Sequence, residues 1–149
     1  MLERIFRASV WSSDGVRPED RRFRGIFRYV LPLTDVLFCY FGLVGFVNGL
    51  RSVQETIGGL QSWWSLGIAV SALMALVGVA FPRLWALEVA GKIPLIVLVS
   101  LYAWVLLGRG LHDPKIVATS GLIFILILLP VWRVADLGFA AWAAKRGEL

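Results

Sequence analysis

The sequence predicts an all-α integral membrane protein, a four-helix bundle preceded by an N-terminal amphipathic juxtamembrane helix. Of its 149 residues, 58% are apolar and only 17% are charged, whereas soluble domains average about 45–50% apolar and about 25% charged residues. The apolar residues fall in four blocks of about 20 residues, the length at which a helix crosses the hydrocarbon core. These observations exclude a soluble globular domain, a disordered chain and a disulfide-rich secreted module.

The four apolar blocks define the predicted spans, which are residues 29–49, 62–81, 85–107 and 116–138. Only helices and closed barrels satisfy every backbone polar group in lipid, and the blocks lack the alternating pattern of barrel strands. The connections between the blocks are short, so helices that are neighbours in sequence should pack antiparallel. The bundle is predicted to occupy residues 29–144, and residues 145–149 are expected to form a tail.

The basic residues near the span ends predict the orientation of the bundle. Seven arginines precede the first span, and Lys145 and Arg146 follow the last one. The two connections on the opposite side carry only Arg51 in one and Arg109 and Lys115 in the other. The sequence therefore predicts a multi-pass protein of the bacterial inner membrane with both termini in the cytoplasm.

The segment of residues 1–28 is predicted to be basic, amphipathic and interfacial. Phe23, Ile26, Phe27 and Val30 repeat at the spacing of one helical face, which is typical of a helix that lies on the inner leaflet. The alternative is that this apolar face packs on the cytoplasmic end of the bundle. If the helix lies on the leaflet, four interleaved arginines are the candidate contacts to anionic lipid headgroups: Arg21, Arg22, Arg24 and Arg28.

Five ionisable residues lie inside the predicted spans, and we call them the charged layer: Asp35, Glu88, Lys92, Arg133 and Asp136. Each costs at least about 2.5–3.5 kcal/mol to insert, so each needs a structural or functional reason. Counting residues from the span ends places all five at similar depth, in the inner half of the bilayer. Two interpretations stay open, a proton, ion or headgroup site and an ion-pair network that locks the bundle.

Small residues mark where membrane helices approach closely. They form stripes on the first two spans, including one with the Gly-x-x-x-Gly spacing typical of helix dimers. These stripes suit packing within the chain at least as well as packing between copies of a homo-oligomer. The candidate packing residues are Gly42, Gly45, Gly49, Gly67, Ser71 and Ala75.

Residue types that carry common enzyme chemistry are scarce. Cys39 and His112 are the only cysteine and histidine, so neither an intramolecular disulfide nor a multi-histidine metal site is possible within one chain. The sequence has no phosphate-binding glycine loop, no HExxH motif and no nucleophile elbow. It therefore predicts a protein that is not an enzyme and has no cofactor. Its basic residues flank spans and are expected to contact lipid, not nucleic acid.

Two stretches carry a resemblance to a known group of proteins. They are Gly78-Val-Ala-Phe-Pro-Arg-Leu-Trp-Ala-Leu-Glu-Val-Ala-Gly-Lys92 and Leu129-Pro-Val-Trp-Arg-Val-Ala-Asp-Leu-Gly138. In layout they resemble small four-span membrane proteins of actinobacterial phages, some of which are identified as holins. The resemblance implies a phage protein that self-associates in the host inner membrane and permeabilises it. The resemblance includes no motif that would identify functional residues in this chain.

The holin-like function is therefore the leading expectation, with two alternatives from other classes. One is a small transporter, a proton-linked carrier that uses the charged layer. The other is a membrane regulator that binds another membrane protein, as in superinfection exclusion.

Overall fold

The computed structural model describes residues 9–11, 25–49, 54–55, 58–110 and 114–146. It confirms the all-α fold class, with four long helices. These are α1 (Leu31–Asn48), α2 (Gln61–Ala80), α3 (Trp85–Gly110) and α4 (Pro114–Arg146). A π-helical turn at Ile26–Val30 leads into α1, and short 3-10 turns, Gly58–Leu60 and Pro82–Leu84, precede α2 and α3.

All four helices are long and apolar enough to cross a membrane, over Arg28–Asn48, Gly58–Ala80, Pro82–Gly108 and Lys115–Trp142. The chain is thus a multi-pass membrane protein, and each predicted span overlaps one of these segments. The main difference is at the end of α4, which we expected to leave the bilayer near residue 138. The helix continues to Arg146, whose guanidinium lies 3.8 Å from the ring centroid of Trp142.

The helix boundaries follow from local backbone chemistry. Pro32 lies at the start of α1, directly after the π-helical turn in which the Leu31 N–H donates to the Ile26 carbonyl; proline has no N–H with which to continue that pattern. At the other end of α1, Gly49 has a φ of +73°, a conformation that glycine adopts without a steric penalty. Phe81 has extended backbone angles and ends α2. The Pro82–Leu84 turn then lets α3 start at once, antiparallel to α2.

The extensive helix–helix interfaces of the described residues join sequence neighbours, α1 with α2, α2 with α3 and α3 with α4. All four helices contribute to one apolar core, which includes Phe38, Ile68, Leu95, Val99 and Ile127. We call the end of the bundle where α1 and α3 begin the entry end. The charged residues lie near it.

The described N-terminal residues, Ser9, Val10 and Trp11, pack on the entry end. Val10 is buried against Leu31 and Val79, and its backbone N–H donates to the Ala80 carbonyl at 2.9 Å. Ile26 of the predicted amphipathic face packs against the same cluster, which for this residue matches the alternative in which that face packs on the bundle. The predicted amphipathic helix lies mostly outside the described residues, as do three of its arginines, Arg21, Arg22 and Arg24.

Candidate functional site

The charged layer has Glu88 of α3 at its centre. Glu88 is 1% exposed and accepts a 2.9 Å hydrogen bond from Lys92 Nζ, one turn further along the same helix. It also accepts two hydrogen bonds from Arg133 of α4, from Nε at 2.8 Å and from Nη2 at 3.3 Å. One carboxylate therefore pairs with both cations and ties α3 to α4.

Asp136 forms the exposed end of the layer. Its Oδ2 accepts a 2.7 Å hydrogen bond from Arg133 Nη1. The Asp136 side chain is 27% exposed, compared with 12% for Arg133 and 1% for Glu88. About 15 Å of helix separates Asp136 from the end of α4 at Arg146, because each helical residue rises 1.5 Å. The layer therefore lies further from the end of α4 than the predicted span boundary implied.

Asp35 of α1 forms the buried end of the layer. Its Oδ2 lies 3.7 Å from Lys92 Nζ, and both side chains are almost fully buried. That distance is beyond a hydrogen bond, and Oδ2 has no hydrogen-bond partner in the described structure. Lys92 instead makes its short contact with Glu88. Among the three acids of the charged layer, Asp35 is therefore the one most weakly paired with a cation.

Close packing of α2 against α3 helps to bury the layer. A Cβ atom at Gly78 of α2 would overlap the backbone of Glu88, so only glycine allows this approach. Glu88 also lies in the first turn of α3, where the helix dipole favours an acidic side chain. Gly78 was not among the predicted packing residues, although a glycine near the end of a span is itself a signal of close packing.

The predicted small-residue stripes pack within the chain. A Cβ at Gly42 would lie 2.6 Å from the Ala69 backbone nitrogen of α2. Ser71 and Ala75 face Gly91 of α3, and Gly67 faces Leu98 of the same helix. Gly45 is buried and Gly49 ends α1. These contacts serve internal helix interfaces, so the Gly45–Gly49 pair does not form an open dimerisation surface.

Gln61 is a buried polar residue that the sequence analysis did not single out. Its Nε2 donates to the Gly45 carbonyl at 2.7 Å and to Ser65 Oγ at 3.2 Å. This side chain therefore ties the start of α2 to the last turn of α1. The available signal was an amide just before an apolar run, since a polar side chain at a membrane helix interface often bonds across helices.

Arg28, expected at lipid headgroups, contacts the N-terminal residues. Its Nε donates to the Val10 carbonyl at 3.1 Å, and Trp11 Nε1 donates to the Arg28 carbonyl at 3.1 Å. The arginine thus helps to hold residues 9–11 against the entry end.

An apolar groove of about 180 Å³ lies between α1 and α4. Its lining includes side chains of α1, α3 and α4, among them Phe38, Phe41, Tyr102 and Ile123. The ring centroids of Phe41 and Tyr102 are 5.4 Å apart. Thr34, the sequence neighbour of Asp35, lines the groove as well. We call this the α1–α4 groove.

Comparison with known proteins identifies no relative: no family model, curated protein or solved structure matches the chain. Within the described ranges, no group of three or more histidine, cysteine or acidic residues could hold a metal ion. The chemistry that the layer itself offers is proton exchange on a carboxylate, because three acids share two cations.

Proposed function

We propose that the protein is a small proton-linked membrane carrier, with Asp35 as the group that binds and releases the proton. The observation that carries this proposal is the buried Asp35 Oδ2 without a hydrogen-bond partner among the described residues. It favours the carrier over the holin-like function. The glycine stripes on α1 and α2 pack within the chain at Gly42 and Gly67, so they lend the holin-like function no separate support.

The charge balance of the layer supports proton binding. With every group ionised, Asp35, Glu88 and Asp136 carry three negative charges against the two positive charges of Lys92 and Arg133. An excess charge away from water is costly. Transfer of one proton to a carboxylate converts it to a neutral carboxylic acid and brings the layer to zero net charge.

The contacts indicate which carboxylate takes the proton. Glu88 accepts three hydrogen bonds from the two cations, and such charge-assisted bonds stabilise the ionised form. Asp136 accepts a short bond from Arg133 and is partly exposed. Asp35 has the longest ion pair, with Lys92 at 3.7 Å, so it loses the least on protonation.

The neighbours of Asp35 on the other elements do not change this assignment. Helix α2 has no ionisable side chain between Gln61 and Ala80. Helix α3 contributes Glu88 and Lys92, and helix α4 contributes Arg133 and Asp136. These are the other four members of the charged layer. The packed residues 9–11 contain no ionisable side chain.

Proteoliposomes that enclose a fluorescent pH indicator test the carrier function. Organic cations, organic anions and neutral amphiphiles are added outside in turn, and the internal pH is followed. We expect one class to move protons with wild type. Asp35→Asn should abolish that movement, and Glu55→Gln, which removes an exposed carboxylate outside the charged layer, should retain it. Failure of all three classes with folded wild type, or an active Asp35→Asn variant, would contradict the proposal.

A second candidate function is permeabilisation by self-association, as in the holin-like proteins that the sequence resembles. It is favoured by the large exposed surface of α4. Only 17% of its most apolar window is buried inside the bundle, compared with 44% for α2. Gly121 and Gly138 of α4 also have open space around them, so a second helix would approach there without a clash.

Titrated expression in a bacterial host with a voltage-sensitive dye separates the two functions. A self-associating permeabiliser should collapse the membrane potential abruptly at a threshold level, and Gly121→Leu should raise that threshold. A carrier should leave the potential intact at high, folded expression. An intact potential with a co-purifying membrane protein and no proton movement would instead favour the regulator.

A further inference from the structure

The carboxylate of Asp35 can exchange protons with water only from an end of the bundle, because lipid covers its sides. Asp35 lies about 6 Å of helix from Leu31, the first residue of α1, and about 20 Å from Asn48, the last. The entry end is therefore the shorter route for water and protons. Asp35 is nevertheless only 2% exposed, so its neighbours toward that end exclude water.

Three apolar side chains close this route, and we call them the entry seal: Val10, Leu31 and Val79. All three are buried and pack together. Leu31 lies one helical turn nearer the entry end than Asp35, on the same face of α1. Val79 follows Gly78, whose backbone lies against Glu88. The seal therefore covers the charged layer on its entry side.

Val10 is the member of the seal that can leave without unfolding a helix, since the other two belong to α1 and α2. Its backbone N–H donates to the Ala80 carbonyl, and its carbonyl accepts a hydrogen bond from Arg28 Nε. Trp11 Nε1 donates to the Arg28 carbonyl, and this contact is exposed. Movement of this short turn would uncover Leu31 and open the route to the layer.

We propose that residues 9–11 form a gate at the entry end, and that Val10 must leave the entry seal before Asp35 exchanges a proton with the compartment on that side. This inference rests on the proposed carrier function and names how access to its proton site is controlled. A carrier must close its site to one compartment while the site is open to the other, since otherwise protons leak along their gradient. The described structure has this gate closed.

A reversible lock tests the gate in the proteoliposome assay of proton movement. Val10→Cys and Val79→Cys are combined in a Cys39→Ser background and oxidised to a disulfide, which mass spectrometry verifies. We expect the disulfide to slow proton movement at least about tenfold, because opening requires Val10 to leave Val79. A reductant should restore the wild-type rate, which also shows that the locked protein is folded. Each single variant, treated with the same oxidant, should move protons as before.

A second measurement needs neither the disulfide nor a substrate. A water-soluble carbodiimide with a small amine converts accessible carboxylic acids to amides, and peptide mass spectrometry gives the rate at each residue. Val10→Ala removes two carbon atoms from the seal and should raise the rate at Asp35 about tenfold, with the exposed Glu55 as internal reference. Val99→Ala, the same truncation at a buried valine deeper in α3, should leave that rate near the wild-type value. The melting temperature of each variant checks that it is folded.

The two measurements separate the gate from the carrier function. Undiminished proton movement with the disulfide formed, or an unchanged Asp35 rate in folded Val10→Ala, would overturn the gate and keep the carrier. Equal acceleration by Val99→Ala would also overturn the gate, because Val10 would then act only through the stability of the bundle. Faster modification of Asp35 in Val10→Ala alone, without proton movement by wild type, would keep the seal and remove the carrier function.

Discussion

Glu88 is the acid that pairs with both cations of the charged layer. Lys92 and Arg133 each donate to it, and it is 1% exposed. A buried pair contributes little net stability, because desolvation offsets much of the attraction, but removal of one partner leaves an uncompensated charge. The stability of the bundle should therefore depend strongly on the carboxylate of Glu88.

Glu88→Gln tests this dependence, since it preserves size and removes the charge that both cations face. We expect a loss of about 3–5 kcal/mol in the free energy of unfolding, the usual result of breaking a buried pair. The measurement is reversible unfolding in mixed micelles. Asp136→Asn is the matched control and should cost less than Glu88→Gln, because the Asp136 side chain is 27% exposed and Arg133 keeps its bonds to Glu88. Equal effects of the two variants would contradict the central position of Glu88.

At the scale of elements, glycines decide how closely the helices approach. A Cβ at Gly91 of α3 would lie 2.5 Å from the Ala75 nitrogen and 2.6 Å from the Ser71 carbonyl oxygen, both backbone atoms of α2. Backbone atoms in a packed helix cannot move aside as a flexible side chain can. The α2–α3 interface therefore requires glycine at this position.

Gly91→Ala should destabilise the bundle by about 1–3 kcal/mol, the usual cost of overpacking. Gly121→Ala of α4 adds the same methyl group where nothing lies within 4 Å. It should change the free energy of unfolding by no more than about 1 kcal/mol, because only helix propensity is affected. Thermal unfolding in a single detergent compares the two. A Gly91→Ala variant as stable as wild type would show that the helices separate easily.

At the scale of the whole molecule, the bundle is a chain of neighbouring helix pairs with α3 at its centre. Through the charged layer, α3 contacts both α1 and α4, and a groove separates these two outer helices. The charged residues lie near the entry end, so the orientation in the membrane decides which compartment they face. The basic residues predict that this end is cytoplasmic.

Single-cysteine labelling tests that orientation. In a Cys39→Ser background, Arg83→Cys places an exposed thiol between α2 and α3, and Glu55→Cys places one between α1 and α2. With the entry end in the cytoplasm, a membrane-impermeant maleimide should label Glu55→Cys in intact spheroplasts. It should label Arg83→Cys only after the membrane is opened. The opposite pattern would invert the topology and turn the charged layer outward.

The sequence by itself determined the fold class and the approximate spans. In lipid, the backbone N–H and C=O groups of each spanning segment must form hydrogen bonds within that segment. The hydropathy and length of a segment are therefore sufficient to predict a membrane-spanning helix. Helical spacing likewise determined that Glu88 and Lys92, four residues apart, and Arg133 and Asp136, three apart, share a face. Counting residues from the span ends placed Asp35 at the same depth in the bilayer as these four residues. Each of these predictions depends only on the separation of residues along a single helix.

Only the tertiary structure decided which groups meet across helices. The rotation of each helix about its axis determines which side chains face one another. It places both cations against Glu88 and leaves Asp35 Oδ2 with no cation at hydrogen-bond distance. The same rotation determines that Gly42 faces helix α2 of its own chain. Such rotations result from packing all four helices at once. Hydropathy carries little of this information, because lipid and a neighbouring helix are nearly equally apolar surroundings.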